Sequence, residues 1–240
     1  MQKHRQHPKL LQNNNKLIII PNLAALNKNL AIFAHILINP DFNLEIYNKP
    51  NHPMNSPTRC SWPGNDPLYI AYHDQEWGKP LHDDQQLFEL LVLEGFQSGL
   101  SWITILRKRE NFRAAFAHFN PTILSQWSDV ELSNCLQNAG IIRNRLKIEA
   151  VRTNARAFIQ IQEKFGSFDR FIWDYVQQQP ITNQFNEHKD LPAQTDLSVR
   201  ISKDLKKLGF KFVGPTICYS FMQAAGLVND HLTSCYCYKK

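Results

Sequence analysis

Two widely separated pairs of thiol and imidazole side chains constrain this chain more than any other feature: Cys60 with His73, and His231 with Cys235. Held by one ion, the four would form a closed Cys₂His₂ zinc site, and the two ends of the intervening region would have to meet. His231 and Cys235 are four apart, so a helical turn would project both from one face. Cys60 and His73 are separated by a loop and make no site alone. For either pair by itself the plain reading is a buried thiol beside a satisfied core histidine. Cys237 is the nearest rival ligand, and Cys218 suits a helix core. Between the pairs, LYIAYHDQEWG and LEGFQSGLSW gather aromatic residues around a carboxylate in otherwise apolar sequence. That combination suits a pocket for a flat, electron-poor ring.

Five cysteines at irregular spacing (Cys60, Cys135, Cys218, Cys235, Cys237) argue against a secreted disulfide framework and for reduced thiols plus a metal, which places the chain in the cytoplasm. The formal charge of +6 is unevenly spread. Residues 1–56 hold six Lys or Arg against Asp41 and Glu45, which leaves 21 basic and 19 acidic residues for the remainder. Affinity for nucleic acid must therefore come from local placement of charge.

Residues 1–56 are Asn-rich, with prolines at 8, 21, 40, 50 and 53, and read as an N-terminal extension that is disordered or not translated. No apolar run there reaches the roughly 18 residues of a membrane span, and Pro21-Asn22 breaks the one signal-like core. Met54, just before SPTRCSW, is a candidate start, and a targeting role is the competing reading. Residues 57–240 then form one domain large enough for a substantial core.

That domain reads as all-α. Asp83-Asp84 open LFELLVLEGF, and Ser101 opens one long amphipathic pattern through Phe119. Ser128 to Glu131 is a capping box for a helix ending at Gly140. Further helices run from Arg143 to Phe165, Ser167 to Val176, Asp196 to Gly209 and Pro215 to Gly226. No alternating strand pattern of useful length is present.

The junction Asn138 to Arg143 is similar to a helix-hairpin-helix. Gly140 and Ile141 make a tight apolar turn, free amides at the next helix start suit a phosphate, and Arg143, Arg145 and Lys147 add charge. Taken alone, an ordinary helix end followed by a solvated basic face explains it as well.

The ordered set RCSW, DPLYIAYHDQEWG, LFELLVLEGFQSGLSWITILRKRENFRAAF, NAGIIRNRLKI and FKFVGPTICYSFMQAAGLVNDH closely resembles the 3-methyladenine DNA glycosylase I family from about Arg59 to Cys237. The resemblance implies an all-α helix-hairpin-helix glycosylase fold, one structural zinc on Cys60, His73, His231 and Cys235, and a base pocket at Tyr72, Glu94 and Trp102. Tyr69 and Trp77 are further candidates for its wall. It implies a monofunctional enzyme that hydrolyses the N-glycosidic bond of 3-methyladenine in double-stranded alkylated DNA and leaves an abasic site. Glu94 is the expected catalytic contact, with no covalent lysine and no aspartate supporting the sugar cation. A monomer without membrane or obligate protein partner suffices for this chemistry. Leu100 is the candidate wedge for the gap left by the extruded base, a core leucine being the plain alternative. Asp230 is a candidate acceptor orienting His231. Two competing readings are a non-catalytic zinc-containing DNA-binding protein and a bifunctional lyase using Lys147.

Overall fold

Aspartates start the first two helices. A computed structural model describes residues 57–238, and the expected N-terminal extension lies outside the described residues. Helix α1 (Pro67–Gln75) begins at Asp66, whose carboxylate accepts from the amides of Leu68 and Tyr69, with Pro67 preset for the first turn. Helix α2 (Asp84–Gln97) begins at Asp83, which accepts from the Gln86 amide.

The long helix expected after Ser101 is broken. Helix α3 (Trp102–Leu106) and α4 (Arg109–Ala115) are followed by a 3₁₀ turn at Ala117–Phe119, where all three residues have positive φ. The apolar positions Trp102, Ile105, Leu106, Phe112 and Phe116 keep a helical period straight through the break, so the pattern conceals it. Lys108 supplies the physical reason: it leaves the helical region (φ −104°, ψ 1°) where its ammonium donates to the carbonyls of Ala139 and Gly140.

Helices α5 (Pro121–Ser125), α6 (Asp129–Gln137), α7 (Arg145–Phe165), α8 (Phe168–Trp173), α9 (Asp196–Lys207) and α10 (Pro215–Ala224) complete the α-helices among the described residues, with further 3₁₀ turns at Asp174–Val176 and His188–Asp190. The predicted capping box holds, with Ser128 and Glu131 satisfying each other's amides. We expect Ser128→Ala to destabilise the domain by about 1 kcal/mol; calorimetry showing an unchanged Tm would mean that Glu131 caps the helix alone. Helix α6 stops at Gln137 and not at Gly140, and α7 starts at Arg145 because the Asn144 side chain accepts from the Lys147 amide. Strands β1 (Ile181–Thr182) and β2 (Val228–Asn229) pair in parallel. At two residues each, they are too short to leave an alternating pattern.

Helix α7 is the central element, with α2, α5, α6 and α8 packed around it. Its buried face repeats at helical spacing through Ile148, Val151, Ala155, Phe158 and Ile161. Phe88, Phe96, Phe112, Phe116, Phe119, Phe168 and Phe221 fill the space around it, all fully buried, each contributing on the order of 1.5–3 kcal/mol. Helix α10 packs on α9 and α2. Its exit at Gly226 requires glycine: φ is +72°, and a Cβ there would lie 2.2 Å from the Lys79 carbonyl carbon. This close approach ties the segment after α1 to the segment after α10. All five cysteines are free, and no helix among the described residues is long and apolar enough to cross a membrane.

Candidate functional site

Cys60, His73, His231 and Cys235 converge, all buried, with their ligand atoms within 4.8 Å of one another. Cys60 Sγ lies 3.6 Å from His231 Nδ1, and Cys235 Sγ lies 3.5 Å from His73 Nε2 and 3.6 Å from His231 Nδ1. Bond lengths of about 2.0–2.3 Å to a tetrahedral zinc would separate ligand atoms by roughly 3.3–3.8 Å, so the donor set fits the ion. His231 and Cys235 meet through an irregular turn closed by the Cys235 amide on the Leu232 carbonyl (2.7 Å), not through the expected helical turn.

The remote ring nitrogens are held as well. His73 Nδ1 pairs with Asp74 (2.8 Å), which Arg59 grips in turn, and His231 Nε2 meets the Trp77 carbonyl (3.1 Å). Each acceptor fixes the tautomer that turns the other nitrogen's lone pair toward the thiols. Asp230 does not have the expected role: its carboxylate accepts from Asn183, Tyr219 and Gln223, none of them a ligand. Burial pushes the Cys60 thiol up to about 12 and, with His73 adding to the effect, His231 down to about 4. Neutral imidazole is the ligand form, and only a cation in the cluster would hold the thiols as thiolates.

Against this cluster lies an aromatic cavity of about 220 Å³ lined by Trp62, Tyr69, Tyr72, Trp77, Glu94 and Trp102. Helix α1 sets Tyr69 and Tyr72 three residues apart on one face and both line the cavity, while His73, next along the helix, reaches the cluster. The rings of Tyr72 and Trp102 lie 5.4 Å apart. Trp62 packs on Tyr69 at 4.8 Å and on His73 at 5.1 Å, and Trp77 meets His231 edge-on at 4.7 Å. The imidazoles of the cluster thus prop the cavity's aromatic wall.

Glu94 is only 3% exposed, and its Oε2 has no hydrogen-bond partner; the Trp102 indole nitrogen is likewise buried and unpartnered. An unsatisfied buried acceptor and an unsatisfied buried donor on two residues that line one cavity are costly in a folded core and mark a place for a polar ligand. Burial raises the Glu94 pKa to about 8. Gln97, His188, Leu191, Ser220 and Gln223 complete the lining and were missed by sequence reasoning. Gln97 alone carried a signal, standing three residues after Glu94 on the same helix face. A larger hollow of about 740 Å³ between α7, α8 and α9 has no such orphaned groups; there Asp204 accepts from Tyr175 and pairs with Lys207.

The connection from α6 to α7 is a tight turn at Gly140. A Cβ on Gly140 would lie 2.9 Å from Asn138 Oδ1 and 3.1 Å from Asn111 Cγ, so close approach requires the glycine. Its own amide is taken by Asn138 Oδ1 (2.8 Å), whereas the amides of Ile142 and Arg143 have no acceptor among the described residues. Ile141 is buried, so its side chain anchors the turn in the core. Arg143 and Arg145 are exposed, Arg145 beside Glu149 at 3.7 Å. Lys147 departs from the expected basic face: it is buried, its ammonium donating to the carbonyls of Phe96 (2.9 Å) and Ser98 (2.7 Å). Leu100 is 41% exposed on the turn between α2 and α3 and is not a core leucine.

The sequence model for methyladenine glycosylase matches residues 62–238. The chain is 52% identical to DNA-3-methyladenine glycosylase 1 of Escherichia coli (strain K12) over 180 residues, 75% of this chain and 96% of that protein. It is 48% identical to DNA-3-methyladenine glycosylase of Haemophilus influenzae over 180 residues, 75% and 97% of the two chains. Among solved structures, a crystal structure of 3-methyladenine DNA glycosylase I superposes with a TM-score of 0.73 at 52% identity, covering 75% of this chain and 99% of that one. A structure describing 3-methyladenine recognition by the Staphylococcus aureus enzyme gives 0.74 at 39% identity, covering 76% and 97%. With the aromatic cavity, its orphaned carboxylate and these matches together, the chain belongs to the methyladenine glycosylase family.

Proposed function

We propose that this protein is a monofunctional DNA glycosylase that removes 3-methyladenine from alkylated duplex DNA by hydrolysis of the N-glycosidic bond, the first step of base excision repair. The observation that carries the reading is the pair of unpartnered groups, Glu94 Oε2 and Trp102 Nε1, inside the aromatic cavity. Methylation at N3 makes the adenine of the nucleoside cationic. Aromatic faces attract such a ring by about 0.5–2 kcal/mol each, depending on desolvation. The Glu94 carboxylate accepts from the amino edge of adenine and offsets the ring charge. Unmodified adenine brings no charge for these groups to meet.

The leaving group is activated before the enzyme acts. Water adds to C1′, the electron pair of the C1′–N9 bond goes to the base, which departs neutral, and the water proton is released to solvent. The protein extrudes the nucleotide, stacks the base and holds its edge. Lys147 is a poor lyase nucleophile because its ammonium is engaged by two carbonyls. Cys60, His73, His231 and Cys235 would hold one zinc; when bound it supplies a cross-link, since four protein ligands leave no position for an activated water. Tyr69, Tyr72, Trp62 and Trp77 wall the pocket, Leu100 enters the gap in the duplex, and the Gly140 turn with Arg143 and Arg145 grips the backbone as a helix-hairpin-helix.

Incubation with methylated duplex DNA tests the activity. Released 3-methyladenine with intact abasic strands is expected; absence of release would leave a DNA-binding protein, and strand breaks formed without added base would mean a lyase. The grip has its own test. Gly140→Val should weaken binding to damaged and undamaged duplexes alike, because phosphates carry no damage information. Arg143→Gln should flatten the salt dependence of binding by about one phosphate contact. A loss confined to damaged DNA would move the turn out of the backbone-binding role.

A further inference from the structure

Two lysines join the hairpin to the pocket edge from opposite directions. Lys147, in the first turn of α7, reaches across to the end of α2 and donates to the carbonyls of Phe96 (2.9 Å) and Ser98 (2.7 Å). Lys108, between α3 and α4, reaches back past the end of α6 and donates to the carbonyls of Gly140 (3.1 Å) and Ala139 (3.4 Å). The Lys147 ammonium thus sits at the C-terminal end of α2, where orphaned carbonyls and the helix dipole favour a cation, whereas Lys108 holds two carbonyls of the hairpin loop just beyond α6. The turn that Lys147 holds is the one that presents Leu100: the Leu100 amide donates to the Gln97 carbonyl at 2.6 Å, so the carbonyls of Phe96, Gln97 and Ser98 are all occupied. Glu94 lies one turn upstream on the same helix.

We propose that Lys147 and Lys108 are positioning residues that make the Gly140 hairpin and the Ser98–Leu100 turn one rigid unit, so that seating the hairpin on the DNA backbone sets how deeply Leu100 enters the duplex. This rests on the reading of Leu100 as the residue that enters the gap. Neither lysine lines the aromatic cavity, and both ammoniums are engaged by backbone carbonyls, so they act through the segments they hold. Extrusion from a paired duplex therefore depends on them, whereas the pocket's affinity for a base already free does not.

Three readouts separate coupling from general damage: 3-methyladenine release from alkylated duplex DNA, release from the same DNA after heat denaturation, and calorimetric binding of free 3-methyladenine. For Lys147→Met and Lys108→Met, duplex kcat/KM should fall by about ten- to a hundredfold, the loss of a charged hydrogen-bond donor. Release from denatured DNA and free-base affinity should stay within about twofold. Lys147→Arg should recover part of the duplex activity. Lys108 is half-buried at the surface, so its variant keeps the test decisive if Lys147→Met fails to fold. Free-base affinity falling in step with duplex activity would overturn the proposal, as would duplex activity that stays at the wild-type level in both variants while Leu100→Ala loses it. If Leu100→Ala itself excises normally from duplex, the underlying reading of Leu100 fails and the coupling with it.

Discussion

Replacing Glu94 with Gln is expected to leave the protein folded and to reduce excision of 3-methyladenine by tenfold to a few hundredfold. The shape is kept and the charge is lost, and a hydrogen bond to a charged acceptor contributes on the order of 1.5–3 kcal/mol. The acidity of Glu94 adds a pH signature. Burial raises its pKa to about 8 in the empty pocket, so at neutral pH the resting enzyme holds the proton. Because kcat/KM reports the free enzyme, it should rise with pH up to about 8 and then level; in Glu94→Gln that rise should vanish. Stability runs the other way. A carboxyl whose folded pKa exceeds its unfolded value of 4.5 favours folding at low pH and loses that contribution as pH climbs from 4.5 toward about 8. The variant should therefore be less sensitive than wild type to rising pH across this window. Wild-type excision by Glu94→Gln, with melting temperature unchanged, would remove Glu94 from the mechanism. Trp102→Ala should also impair excision, while Trp102→Phe keeps part of the stacking and loses the indole donor.

Cys235→Ser should have the larger effect on the fold. Chelator-washed wild-type protein is expected to retain about one zinc per chain, and the serine variant to lose it. The hydroxyl is a poor zinc ligand, and without the ion the remaining thiol and the inward ring nitrogens of His73 and His231 are desolvated with no cation to bind, although the outer ring nitrogens keep Asp74 and the Trp77 carbonyl. A loss of 3 kcal/mol or more is expected, roughly 6–12 °C in Tm for a domain of this size. Because Trp62 and Trp77 lean on His73 and His231, affinity for free 3-methyladenine should fall as well. Cys237→Ser is the control, since Cys237 does not belong to the four-ligand group. Unchanged zinc content and Tm in Cys235→Ser would sink the assignment.

The helical class and most helix starts were legible because they are written locally: Asp83, Ser128 and Pro215 each sit at the boundary they signal. The division after Leu106 was not, since the apolar period crosses it intact and the cause lies in the Lys108 contacts some 30 residues away in sequence. In the site, Tyr72, Glu94 and Trp102 stood out as aromatics around a lone acid, and the structure brings them to one cavity. Ser220 and Gln223 could not stand out: they are ordinary polar residues on α10, made part of the lining only by the packing of that helix on α2. Lys147 shows the opposite failure. Placed among basic residues it reads as solvated charge, yet the fold turns it inward.

The separation of the four ligands bears on the order in which the molecule is made. Cys60 and His231 are 171 residues apart, and His73 and Cys235 are 162 apart. A nascent chain that has passed His73 owns two ligands, and it gains no third until nearly the whole helical domain has been synthesised. Closing loops of that length is paid for only when the intervening helices have packed. Metal capture is thus a late event that records completion of the fold. Cobalt(II) in place of zinc should develop its thiolate absorption with the final folding phase, and a chain truncated before His231 should remain colourless.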